Sequence, residues 1–210
     1  MSKSKGNVIS ALDVLSQYGD NAVRFYFFKD GPLERDEVFN ANRLVDNYNA
    51  HLVNEFSNSI RRVSTTQFLP PPNTPFILSP PKTQREVDFI ASFNSKAATV
   101  YRGTMKGSLQ TIIGMIQMTN QYLNGSEFWN VKDKQEQYKV IGTASEALRV
   151  ISILLYPVIP SYAEHLLKYF KVKDARLDQC KIEESKSIEI KYDHSVKDKL
   201  FIRKLQYNNN

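Results

Sequence analysis

Leu44, Tyr48, Leu52, Phe56 and Ile60 recur at intervals of four residues. Such a repeat reads as the apolar stripe of a helix and commits that stripe to a core. It predicts one long helix from about Asn40 to Val63. Other stripes predict further helices: Val87, Ile90, Phe93, Ala97 and Tyr101; then Met105, Leu109, Ile112, Ile113 and Ile116; then Val140, Ile141, Ala144, Leu148, Ile151 and Leu155. Ala11 to Tyr18 reads as a short helix stopped by Gly19, with Asp20 capping a second that runs to about Lys29. Tyr156-Pro157-Val158-Ile159-Pro160 ends or kinks one helix before a last one from Ser161 to Phe170. Six of the nine prolines lie between Pro70 and Pro81, so Gln67 to Gln84 is predicted to be loop. Asn124-Gly125-Ser126 predicts a break. The fold class is therefore all-α, a helical bundle. Residues 174–210 read as an irregular tail in which Ile188 to Tyr192 alternates like a short strand and Asn208 to Asn210 fray.

The chain of 210 residues is long enough for a sizeable core, and its 41% apolar and 24% charged content is ordinary for a globular protein. A net charge of +6 suits a polyanionic partner without identifying one. Cys180 is the only cysteine, which excludes an internal disulfide and a cysteine-based zinc site. His51, His165 and His194 are scattered along the chain, so no metal site is expected. No apolar run is long enough for a membrane span.

Three groups of residues are candidates for chemistry. Lys3 and Lys5 stand among Ser2, Ser4 and Gly6, a pattern that suits a loop folded over a polyphosphate and equally a solvated terminus. Asn54, Asn58 and Arg62 lie four apart on the long helix, so each step advances about 40° around it. The row sits roughly 200° from the Leu52 stripe and faces outward. Amides and a guanidinium in a row can pair with base edges and phosphates, or simply be solvated. Trp129 is the only tryptophan. Beside Lys132 and Lys134, it can stack on an unpaired base or plug the end of the bundle.

Met1-Ser2-Lys3-Ser4, continuing through Gly6-Asn7 into Val8 to Phe27, resembles the mobile lysine-serine signature loop (KMSKS) of class I aminoacyl-tRNA synthetases and the helical segment directly after that loop. Among these the chain is most similar to methionyl-tRNA synthetases of bacterial or organellar type. Asn54, Asn58 and Arg62 match the family's Asn-x-x-x-Asn-x-x-x-Arg row, which reads the anticodon; Arg61 is not part of it. Asn120-Gln121-Tyr122 and then Trp129 resemble the segment whose Trp contacts the first anticodon base, with Phe128 where the family usually has Pro. Arg24 matches a position in the linking helices, where a structural role is expected. Leu200-Phe201-Ile202-Arg203 resembles the family's terminal Leu-Phe-Pro-Arg.

The resemblance implies three parts: residues 1–36, a signature-loop remnant and connecting helices; 37–173, an anticodon-binding bundle; and 174–210, the tail. It implies tRNA(Met) as partner, read through CAU by Asn54, Asn58, Arg62 and Trp129. In the complete ligase, Ser2, Lys3 and Ser4 would bind ATP, used with Mg2+, and Lys3 would be the catalytic residue that neutralises charge on its phosphates. Methionine and ATP would be handled only with a nucleotide-binding domain whose His-Ile-Gly-His signature does not occur in this sequence, so the chain alone is expected to be inactive. Residue departures at Lys5, Phe128 and Ile202 point to a mitochondrial matrix form, with the cytoplasm as alternative. The competing readings are a stand-alone tRNA-binding module, a helical protein-interaction scaffold and a class I synthetase for another amino acid.

Overall fold

The computed structural model describes residues 10–31, 38–71, 76–172, 175–184 and 187–207, so the frayed end expected at Asn208 to Asn210 lies outside the described residues. The fold is an all-α bundle. Helix α1 (Ala11–Tyr18) begins where the Ser10 hydroxyl accepts from the Asp13 amide, and it ends at Gly19, whose φ of 79° suits a residue without Cβ. Helix α2 (Asp20–Asp30) comes immediately after. Its Arg24 donates to the carbonyls of Pro157 and Val158, tying this pair to the far end of the bundle. That contact gives Arg24 structural work.

The long helix differs from a uniform α-helix. It comprises α3 (Ala41–Asn47), a π-helical stretch Tyr48–Phe56 and α4 (Ser57–Ser64). The reason lies in the spacing of the apolar stripe. At 3.6 residues per turn a step of four overshoots a full turn, so a strict four-residue repeat walks around the helix and off the core. The wider i→i+5 turn makes a step of four fall short, which brings the stripe back. Leu44, Leu52, Phe56 and Ile60 consequently all have 0% exposure. Where the π turn reverts to α, the Glu55 carbonyl accepts from Asn120 Nδ2 at 3.0 Å and from Ser59 Oγ at 3.1 Å.

Helices α5 (Gln84–Ala97), α6 (Met105–Ser126), α7 (Lys134–Leu155) and α8 (Pro160–Tyr169) complete the bundle. From Val140 to Leu155 every residue of α7 except Arg149 is buried, as befits a helix covered on all sides. Helices α6 and α8 pack along it, and α5 packs along α6. Pro160 opens α8 at a position where its missing amide costs nothing. Two expectations need correction. The break expected at Asn124-Gly125-Ser126 falls one residue later: α6 runs through Ser126, and Glu127 turns the chain with φ 42°. The proline-rich segment is not all loop. It carries a 3-10 turn, Thr66–Phe68, and a strand β1 (Phe76–Leu78) that pairs antiparallel with β2 (Ile188–Ile190).

The C-terminal segment lies along the long helix. Ile202 N donates to Ser57 Oγ at 3.2 Å, and Asn49 exchanges two hydrogen bonds with the Leu205 backbone. Phe201 lies under the Arg61 guanidinium, and the Tyr207 hydroxyl donates to Asp46. Ile182, Val196, Leu200 and Ile202 are buried with the main core.

Glu86 is a buried carboxylate, 3% exposed, that accepts from the Lys82 and Thr83 amides, the Thr83 hydroxyl and Lys139. Burial by itself would raise its pKa. Hydrogen bonds from Lys139 and from the Lys82 and Thr83 amides, together with the Lys139 charge, outweigh that and hold it below the usual carboxylate range. A lowered folded-state value stabilises the fold above the ordinary carboxylate pKa, and this is lost as pH falls through the folded value. Glu86→Gln should therefore lower stability near neutral pH by about 1–3 kcal/mol and flatten the acid limb of urea-unfolding stability against pH. An unchanged acid limb would count against this role.

Candidate functional site

The polar row expected on the long helix starts inside the π stretch and continues into α4. Asn54 and Asn58 are exposed, and neither side chain makes a hydrogen bond among the described residues. Arg62 is half-buried. The reversal of the helical stagger that buries Leu52 and Phe56 also sets where Asn54 stands relative to Asn58 and Arg62.

Trp129 comes from another element, the 3-10 turn Phe128–Asn130 between α6 and α7. Its neighbour Phe128 is the plug, 2% exposed and packed edge-on against Phe68, while Trp129 is 46% exposed. The turn is held from beneath. Buried Gln137 on α7 donates through Nε2 to the Phe128 carbonyl at 2.8 Å, and the Val131 amide donates to the same oxygen. Phe128 thus takes the sealing role open to an aromatic here, and the indole beside it stays in reach of solvent.

The tertiary structure brings Arg62 and Trp129 together. The Arg62 guanidinium carbon lies 5.5 Å from the Trp129 ring centroid and 5.8 Å from that of Phe128, within cation–π range. Arg62 Nη1 donates to Asn124 Oδ1 at 2.8 Å. Among the described residues no carboxylate pairs with this guanidinium. Burial pulls its pKa below the ordinary arginine value, in keeping with a cation that has lost water without gaining an anion. A five-donor fork has spare hydrogen-bonding capacity in this arrangement. The site can thus receive a planar ring on the indole and an acceptor or anion on the guanidinium.

The remaining candidates do not join this cluster. Ser2, Lys3 and Ser4, assigned to ATP, lie outside the described residues. No group of three or more potential metal ligands is found among the described residues. His165 is half-buried in α8, and its Nδ1 lies 2.7 Å from the Ser161 carbonyl. No helix among the described residues is long and apolar enough to cross a membrane. Two participants are not legible in the sequence. Asn124 sits in the stretch that reads as a break, and Gln137 precedes the predicted α7 stripe; neither belongs to a periodic pattern that marks it out.

A family profile described as tRNA synthetases class I (M) matches residues 1–64. The probable mitochondrial methionine–tRNA ligase of Neurospora crassa is 28% identical over 194 residues, covering 83% of this chain and 31% of that protein. The methionine–tRNA ligase of Rickettsia conorii is 28% identical over 190 residues, covering 84% of this chain and 37% of that protein. The chain thus spans about a third of the length of these curated relatives. Among solved structures, Mycobacterium tuberculosis methionyl-tRNA synthetase bound by methionyl-adenylate has a TM-score of 0.74 at 18% identity, covering 90% of this chain and 40% of that one. The apo form of the same enzyme has a TM-score of 0.72 at 16% identity, covering 88% and 39%. At such identities the likeness speaks for the fold.

The two adjacent aromatics should separate in unfolding experiments. Phe128→Ala is expected to cost about 3–5 kcal/mol by urea denaturation. Trp129→Ala is expected to cost about 1 kcal/mol or less, because half of the indole is already in solvent. Equal losses would contradict the division of labour.

Proposed function

We propose that the chain belongs to the methionine–tRNA ligase family and that its bundle grips the anticodon loop of tRNA(Met) and reads CAU. One observation supports this more than any other: a half-buried arginine with no carboxylate partner among the described residues, laid on a half-exposed indole. Protein surfaces that bind single-stranded nucleic acid combine those two elements, a cation for the backbone and a flat ring for a base. The exposed amides of Asn58 and Asn54 continue the row along the helix and offer paired donor and acceptor groups to base edges.

In this reading Trp129 stacks on one unpaired base, Arg62 holds a phosphate or a base acceptor beside it, and Asn58 and Asn54 supply discrimination. The chemistry of methionine activation belongs to a nucleotide-binding domain acting with this chain. There Lys3, with Ser2 and Ser4, would contact ATP, used with Mg2+, and neutralise developing phosphate charge. The described residues contain no open parallel sheet on which such nucleotide chemistry is carried. The departures at Lys5, Phe128 and Ile202, together with the mitochondrial relative, favour the mitochondrial matrix as compartment.

The test is binding to an anticodon stem-loop at several salt concentrations. CAU-bearing RNA should bind more tightly than the same loop with the triplet permuted. Trp129→Ala and Arg62→Ala should each weaken binding by about 5- to 150-fold, the range expected for loss of one stacked base. Only Arg62→Ala should also reduce the salt slope by about one. Equal affinity for permuted loops would overturn the reading. Separately, the isolated chain with methionine, ATP and labelled pyrophosphate should show no exchange; robust exchange would refute the division of labour between domains.

A further inference from the structure

We propose that Asn124 is a positioning residue for the RNA contact, a neutral clamp that holds Arg62 over Trp129 without cancelling its charge. This rests on the proposed function, in which Arg62 and Trp129 meet RNA. A long arginine side chain loses considerable rotamer freedom when it is held in one place, so a contact that is already formed before RNA arrives spares part of that cost. Three contacts define the guanidinium here: Asn124 Oδ1 at 2.8 Å from Nη1, and the Trp129 and Phe128 rings at 5.5 and 5.8 Å from its central carbon. Together the two rings and the amide oxygen fix where the guanidinium lies. The donors not used by Asn124 stay uncommitted among the described residues.

The chemistry of the clamp matters as much as its place. A carboxylate at this position would hold the guanidinium more strongly, but it would neutralise the cation and compete with phosphate for the same donors. An amide oxygen fixes geometry and leaves the charge in place. Position 124 also has independent support, so its side chain can be changed without losing the turn. Arg85 donates to the carbonyl of Gly125 from the neighbouring helix, and Gly125 has no Cβ to block that approach. Gln137 holds the Phe128 carbonyl from below.

Trp129 is the only tryptophan, so its emission reports on this contact alone and needs no RNA. Asn124→Ala should shift the emission of the free protein toward that of Arg62→Ala. It should also lower affinity for the CAU stem-loop by about fivefold or more, with the unfolding midpoint unchanged. Asn124→Asp is the discriminating variant. It should keep wild-type emission, because the acceptor remains, yet weaken RNA binding and flatten its salt dependence. Wild-type emission and wild-type affinity in Asn124→Ala, with Arg62→Ala still impaired, would overturn the proposal. So would Asn124→Asp binding RNA as well as wild type. If Arg62→Ala and Trp129→Ala themselves leave RNA affinity unchanged, the RNA reading fails. The emission shift then still decides whether Asn124 holds Arg62.

Discussion

Burial of an apolar stripe with strict four-residue spacing is the constraint on which the rest of the molecule depends. A regular α-helix cannot keep Leu44, Tyr48, Leu52, Phe56 and Ile60 on one line, because each step of four overshoots the turn. The chain accommodates the stripe by widening to π geometry between Tyr48 and Phe56. Near the junction the Glu55 carbonyl accepts from the side chains of Asn120 and Ser59. The outward side of the same helix inherits the changed stagger, so Asn54, Asn58 and Arg62 point where the core requirement sends them. π turns within helices often accompany functional sites, and here packing alone accounts for one.

The second organising effect is electrostatic. Arg62 is partly desolvated, has no carboxylate among the described residues, and is held by an amide and two ring faces. Arg149, elsewhere in the bundle, has the opposite arrangement: it pairs with Glu146 at 2.9 Å and donates to the carbonyls of Gln179 and Lys181. Arg24 likewise spends its donors on the Pro157 and Val158 carbonyls. Those two arginines are absorbed by structure. Arg62 retains capacity, and the difference comes from its partners rather than from residue type.

Both flanks of the long helix are braced. On one, α6 contributes Gln117 to the Glu55 carboxylate, Asn120 to the Glu55 carbonyl and Asn124 to Arg62, spaced three and four residues apart on one side of α6. On the other, the segment from Leu200 to Tyr207 bonds to Asn49, Ser57 and Asp46 in reverse order along the helix. Residues that read as an irregular tail therefore stiffen the element that presents the polar row. Their sequence has little periodicity because their partner is a helix flank, not a sheet or a second stripe.

The sequence by itself determined the all-α class, the number and approximate limits of the major helices, and the outward direction of Asn54, Asn58 and Arg62. Each comes from local spacing, which a chain carries whatever its tertiary surroundings. The repeat of four reads in sequence as one regular helix, and only the structure shows the π stretch that accommodates it. Tertiary structure alone decided that Trp129, 67 residues from Arg62, lies against it. It decided that Phe128 rather than Trp129 seals the bundle, that β1 emerges from a proline-rich segment to pair with β2, and that Asn124 meets a guanidinium. These outcomes depend on which elements pack together. Side chains such as Asn124 and Gln137 show no pattern in sequence because their partners come from other elements, and only packing brings those partners within hydrogen-bond reach.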